Sequence, residues 1–161
     1  MATVLQDVKR RVFWVIARTC FAAYRHFPLF GTLRASIGII EREGKFLIIH
    51  RNDGRGLCLP GGISNRNEAE IETLRREVLE ETGLTVMAQE LKLKYFSDAD
   101  VPCNISVFEV QASGEVRNSW EGSPQWNTVA EVEARLMPSQ QPVLELLKAM
   151  AAREQMRPRK E

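Results

Sequence analysis

The sequence predicts an α/β fold with a mixed sheet held between helices, and three observations carry that reading. Two β-rich runs, residues 34–41 (RASIGIIE) and 45–50 (KFLIIH), flank a Glu43-Gly44 pair in the pattern of a hairpin. One stretch without Gly or Pro, residues 68–82, carries helical periodicity. Two more strand-like runs follow it, and the chain ends on a further amphipathic helix.

Residues 3–30 read as a helix with an apolar stripe of Val4, Val8, Val12, Val15 and Ile16, widened by Phe13, Trp14 and Phe21. Lys9, Arg10, Arg11, Arg18 and Arg25 are interspersed. Basic residues before FWVIA resemble the start of a signal peptide. Arg18 interrupts that apolar run, which is far short of the roughly 20 residues that span a bilayer. Two readings follow: a helix packed on the domain or on a partner subunit, or a basic amphipathic helix lying on a membrane surface. Packing is favoured, because aromatics at helical spacing are mostly core.

Residues 28–33 break the pattern before the hairpin, and 51–56 (RNDGRG) form a polar turn. Leu57-Cys58-Leu59 leads into Pro60-Gly61-Gly62, a loop that can turn sharply and present a carbonyl to a ligand. Cys58 reads as a small buried residue. In the central helix Asn67 is the expected N-cap, with Glu70 reaching back in a capping box, and Gly83 supplies the left-handed stop. Ile71, Leu74 and Val78 share the stripe expected to be buried. Glu77, Glu80 and Glu81 occupy another sector within one turn, where like charges repel. A cluster of hard oxygen ligands is what Mg²⁺ or Mn²⁺ requires.

Beyond the helix, residues 84–96 and 104–111 (NISVFEVQ) read as strands, joined by the 97–103 loop with Asp98 and Asp100. Residues 114–126 read as a loop, followed by a helix over 128–136 that Pro138 ends. Trp126 is expected to anchor packing under that helix. Residues 142–152 form the last helix, with Val143, Leu146, Leu147 and Met150 on one face. The tail 153–161 is polar and basic, and reads as frayed and solubilising, with Arg157, Arg159 and Lys160 exposed rather than bound to nucleic acid.

A length of 161 residues suits one domain. The formal net charge of +1 gives no global bias toward nucleic acid. Cys20, Cys58 and Cys103 are scattered and lack C-x-x-C spacing, which argues against a disulfide framework or zinc site and fits reduced thiols in a cytoplasmic compartment. Two histidines, His26 and His50, leave little for His-based metal or triad chemistry.

Gly62, Glu68, Arg76, Glu77, Val78, Glu80, Glu81, Gly83 and Leu84 fill every defined position of G-x5-E-x7-R-E-U-x-E-E-x-G-U, U being aliphatic. Chance would produce that set in fewer than about one chain per million. The stretch resembles the Nudix box, and the chain is similar to mutator-type nucleoside triphosphate pyrophosphohydrolases of that family. The resemblance implies an α/β/α sandwich over residues 34–152, with the additional helix in 1–33 before it and the basic tail 153–161 after it. It implies Mg²⁺ or Mn²⁺ as cofactor, with Glu80 and Glu81 as main ligands beside the Gly61 carbonyl. Glu77 is a further ligand or the base that takes a proton from water.

By the same resemblance Glu68 and Arg76 form a structural ion pair, and Gly62 and Gly83 shape the loop and the helix end. A later acidic residue completes the metal site in many members. Glu121, in Glu121-Gly122-Ser123-Pro124, fits that place, with Glu115 as its rival. The substrate class implied is a nucleotide, foremost a nucleoside triphosphate, normal or oxidised such as 8-oxo-dGTP, cut to monophosphate and pyrophosphate. ADP-ribose, a nucleotide sugar or another nucleoside diphosphate derivative is the alternative, and a non-catalytic nucleotide sensor is the alternative of another class. Asn127, Gln140 and Gln141 are the only side-chain amides after Trp126 until the last helix, and no purine-reading pattern is recognisable among them. No sequence-specific nucleic acid partner is expected, while a homodimer through the N-terminal helix is an open expectation.

Overall fold

The computed structural model describes residues 31–156 together with Thr19 and Tyr24. The remainder of the expected N-terminal helix, and residues 157–161, lie outside the described residues. Thr19 and Tyr24 are helical, and Tyr24 packs against the main core while its hydroxyl donates to the Gly31 carbonyl at 2.6 Å.

Seven strands form a mixed sheet. β1 (Leu33–Arg42) and β2 (Lys45–Arg51) make the expected hairpin, with Glu43 and Gly44 both left-handed (φ 54° and 74°), as a tight primed turn requires. β3 (Leu57–Cys58) adds to β2, and β4 (Gly61–Ile63) lies antiparallel on β1, pairing Gly61 with Ile37 and Gly62 with Ser36. The central helix α1 (Glu70–Thr82) leads into β5 (Thr85–Ser97). β6 (Cys103–Ser113) then pairs antiparallel with β5 and parallel with β1, which makes the sheet mixed. β7 (Gly122–Asn127) pairs antiparallel with β2. The short α2 (Val129–Val132), a 3₁₀ turn over Pro138–Val143 and α3 (Leu144–Gln155) close the described chain.

The sheet buries both faces, and the two larger of the three apolar clusters among the described residues lie on either side, the third being Ile49, Cys58 and Met137. One joins Ile37, Ile39, Phe46 and Ile48 to Val132, Val143, Leu147 and Met150 below α2 and α3. The other joins Ile40, Leu47, Phe108 and Val110 to Leu74 and Val78 of α1. Side chains of one strand alternate between the clusters, as the period of two dictates.

Several sequence expectations are corrected. Helix α1 starts at Glu70 and not at Glu68, because Asn67 is left-handed (φ 66°) and so cannot hold the extended N-cap conformation. Ala69 is the N-cap instead, and Glu72 Oε2 accepts its N–H at 3.0 Å. Ile71 is 40% exposed, since the buried face turns toward Thr73, Leu74, Val78, Glu81 and Thr82. Residues 122–127 form a strand where a loop was expected; Pro124 disguises it, but β7 pairs with β2 alone, and Pro is tolerated on such an edge. The helix over 128–136 shrinks to Val129–Val132, and Pro138 begins the 3₁₀ turn rather than ending a helix. Trp126 packs against the α1 cluster, not under α2, with the Arg42 guanidinium 4.8 Å from its ring. Residues 153–155, expected in the frayed tail, are the last turn of α3.

Candidate active site

The site forms where β4 passes the C-terminal half of α1. Gly61 approaches β1 so closely that a Cβ would lie 2.6 Å from the Ile37 Cα and overlap the Ser36 carbonyl oxygen, and its φ of 143° is open to glycine. That approach directs the Gly61 N–H at α1, where it donates to Glu81 Oε2 at 2.8 Å. Gly83, left-handed at φ 76°, caps the helix with its N–H on the Leu79 carbonyl and ends the acidic turn.

Glu81 is only 3% exposed. Burial pushes its carboxyl up to about 8; the Gly61 N–H opposes this, and the neighbouring Glu121 and Glu77 carboxylates add to it. Glu77 is also raised, chiefly by burial, with Arg76 opposing and Glu121 and Glu80 reinforcing. Its carboxylate lies against Gly62, where an added Cβ would meet the carboxyl carbon at 2.6 Å. Glu80 stays exposed, 3.4 Å from Arg76 Nη1, and is not among the residues that line the cleft.

Arg76 spans this acidic face. Its Nε and Nη2 donate to the two Glu68 oxygens at 2.8 and 2.9 Å, and Nη1 donates to Glu77 Oε1 at 2.7 Å. Glu68 also accepts the Asn65 N–H at 2.8 Å and the Thr73 hydroxyl at 3.0 Å. These bonds, Arg76 foremost, hold the Glu68 carboxyl down at about 2. The loop before α1 is thereby tied to the helix that carries the glutamates.

A cleft of about 340 Å³ opens above this point, lined by Gly61, Gly62, Glu77 and Glu121 on its acidic side. Glu121 therefore joins the box glutamates, while Glu115 is exposed beside Gly83 and is not among the residues that line the cleft. Asp100 lines the cleft and Asp98 does not. Gln140 lines it too, its Oε1 accepting the Leu59 N–H at 2.8 Å, whereas Gln141 donates to the Leu136 carbonyl and Asn127 bonds to His50. Cys58 is buried, which pushes its thiol up to about 12.

Sequence reasoning missed the basic wall. Arg51 and Arg55 both line the cleft and both grip Asp53, Arg51 Nη2 at 2.7 Å and Arg55 Nε at 2.8 Å. Burial alone would raise the Asp53 carboxyl, but the two guanidiniums outweigh it and hold it well below the usual range. The signal available was the Arg-x-Asp-x-Arg spacing, which looks like any polar turn.

A buried carboxylate beside two others that line a cleft together with Arg51 and Arg55 is a donor set of the kind hard divalent cations bind. Among the described residues, however, no group of three or more His, Cys, Asp or Glu side chains is already drawn together tightly enough to hold a metal ion. The fit is thus one of chemistry and burial.

The NUDIX domain family model matches residues 32–158, and the chain belongs to the Nudix family, whose members are hydrolases acting on pyrophosphate bonds. A MutT-like protein of Streptomyces ambofaciens is 36% identical over 102 residues, a match spanning 62% of this chain and 66% of that relative. The E. coli ORF135 protein has a similar fold, with a TM-score of 0.65 over 80% of this chain and 95% of its own at 24% identity. The mutator MutT protein of Bacillus halodurans gives 0.59 over 74% of this chain and 82% of its own at 26% identity. Among the described residues, no helix is long and apolar enough to cross a membrane.

Proposed function

We propose that this chain is a Mg²⁺- or Mn²⁺-dependent pyrophosphohydrolase that cuts a nucleoside triphosphate to monophosphate and pyrophosphate. The observation that carries the reading is the buried Glu81, seated on the Gly61 N–H with Glu77 and Glu121 beside it at the cleft. The likeness to MutT-type relatives supports the choice of a triphosphate.

Glu80, Glu81, Glu121 and the Gly61 carbonyl are the groups that would hold the divalent ion, which leaves Glu77 as the base. A divalent ion bound there would neutralise phosphate charge and lower the pKa of an attacking water. Arg51 and Arg55 add fixed positive charge on the facing wall, where Asp53 keeps both guanidiniums oriented. Arg76 occupies Glu77 Oε1, so Oε2 is the oxygen that receives the water's proton. The water oxygen bonds to a phosphorus of the α–β anhydride. The bridging P–O bond breaks and its electron pair leaves with pyrophosphate when the α-phosphorus is attacked, or with the nucleoside monophosphate when the β-phosphorus is attacked, and the proton passes from Glu77 to solvent.

Glu121→Gln tests the reading directly. Turnover should fall about 10–100-fold, and the divalent-ion concentration for half-maximal rate should rise. Unchanged metal dependence would remove Glu121 from the site. A sugar phosphate, formed from a diphosphate derivative in preference to pyrophosphate from a triphosphate, would transfer the reading to that substrate class.

A further inference from the structure

Trp120 is 57% exposed, yet it stands beside Glu121 and lines the cleft. Large aromatic side chains contribute most when covered, and this one presents more than half of its surface at a cleft. The backbone beneath it is fixed from two sides. Ser119 Oγ accepts the Glu121 and Gly122 N–H groups at 3.2 and 3.3 Å, and the Ser119 N–H donates to the Gly122 carbonyl at 3.0 Å. From the loop after β2, the Asn52 side-chain amide donates to the Trp120 carbonyl at 3.1 Å, and its N–H to the Glu121 carbonyl at 2.9 Å. Adjacent cleft surface is apolar, from Val101, Ile105 and Met137.

From this arrangement we infer that Trp120 is the platform on which the base of the nucleotide stacks, its phosphates lying toward Glu121 and the box. The inference rests on the nucleotide reading above and adds how the base is held. Stacking on an indole tolerates any base, because each has a π-face, and is stronger for larger rings. Purine nucleotides should therefore be preferred over pyrimidine nucleotides, with weak discrimination within each group.

The test uses the full chain with Mg²⁺ and compares a purine triphosphate with inorganic tripolyphosphate, which carries the same anhydrides without a base. In Trp120→Ala the preference in kcat/KM for the nucleotide should drop about 10-fold or more, through KM rather than kcat, and Trp120→Phe should regain most of it. A non-hydrolysable α,β-methylene purine triphosphate should quench the indole emission of the wild type, and the quench should vanish in Trp120→Phe although two other tryptophans remain. Equal losses on both substrates, or a quench that survives Trp120→Phe, would overturn the inference and leave the proposed function standing. A wild type that shows no preference for the nucleotide over tripolyphosphate would overturn both.

Discussion

Glu81 Oε2 accepts the Gly61 N–H at 2.8 Å across twenty residues of sequence, joining the acidic turn of α1 to the strand β4. That one bond orients a carboxylate that burial would otherwise leave with few partners. It exists because Gly61 can approach β1 where no side chain fits. The residue's identity as glutamate is therefore a cost to the fold.

Glu81→Gln separates those two effects. The amide oxygen can still accept the Gly61 N–H, while the cost of burying an ionisable carboxyl beside Glu77 and Glu121 is gone. Thermal unfolding of the metal-free variant should occur above that of the wild type, and turnover should fall at least about 100-fold. A variant less stable than wild type would mean that the charge supports the fold.

Gly62→Ala probes the contact with Glu77. The added methyl would meet the carboxylate at 2.6 Å, and that carboxylate ends a flexible side chain able to swing aside. Stability should change little while kcat falls, as measured by chemical unfolding beside steady-state kinetics. Strong destabilisation would show that Glu77 cannot move.

Arg76→Lys removes the fork that grips both Glu68 oxygens while keeping the charge. Turnover should drop about 10–100-fold, and far-ultraviolet circular dichroism should remain that of the wild type. Wild-type activity in the variant would make the fork dispensable.

The Asp53 side chain is buried between Arg51 and Arg55, so Asp53→Asn should cost about 3 kcal/mol by removing the anion that both guanidiniums bind. The folded carboxyl lies below its unfolded value near 3.9. Its contribution is fully present above roughly pH 4 and is lost as pH falls through the folded value. Urea unfolding should show a constant gap between wild type and variant at neutral pH that narrows in acid. A gap that widens in acid would contradict the sign.

The hairpin, β5, β6 and the glycine stop of α1 were legible because their signals are local: a turn pair, alternating side chains, a left-handed residue. β4 and β7 were not, since a Gly-Gly run and a Pro-bearing run become strands only through distant partners in β1 and β2. In the site, the box glutamates and the choice of Glu121 over Glu115 came from resemblance to a family pattern. The Arg51–Asp53–Arg55 clamp and the exposed Trp120 carry no spacing that sets them apart, and only the cleft reveals them. Asn67 shows the opposite failure, a good capping residue placed where the backbone turns left-handed.

The central claim is tested most directly by following the products of a purine nucleoside triphosphate incubated with Mg²⁺ and either wild type or Glu81→Gln. The account predicts equal amounts of monophosphate and pyrophosphate from the wild type, none without the metal, and almost none from the variant. Release of orthophosphate in place of pyrophosphate, or equal rates from both proteins, would contradict it.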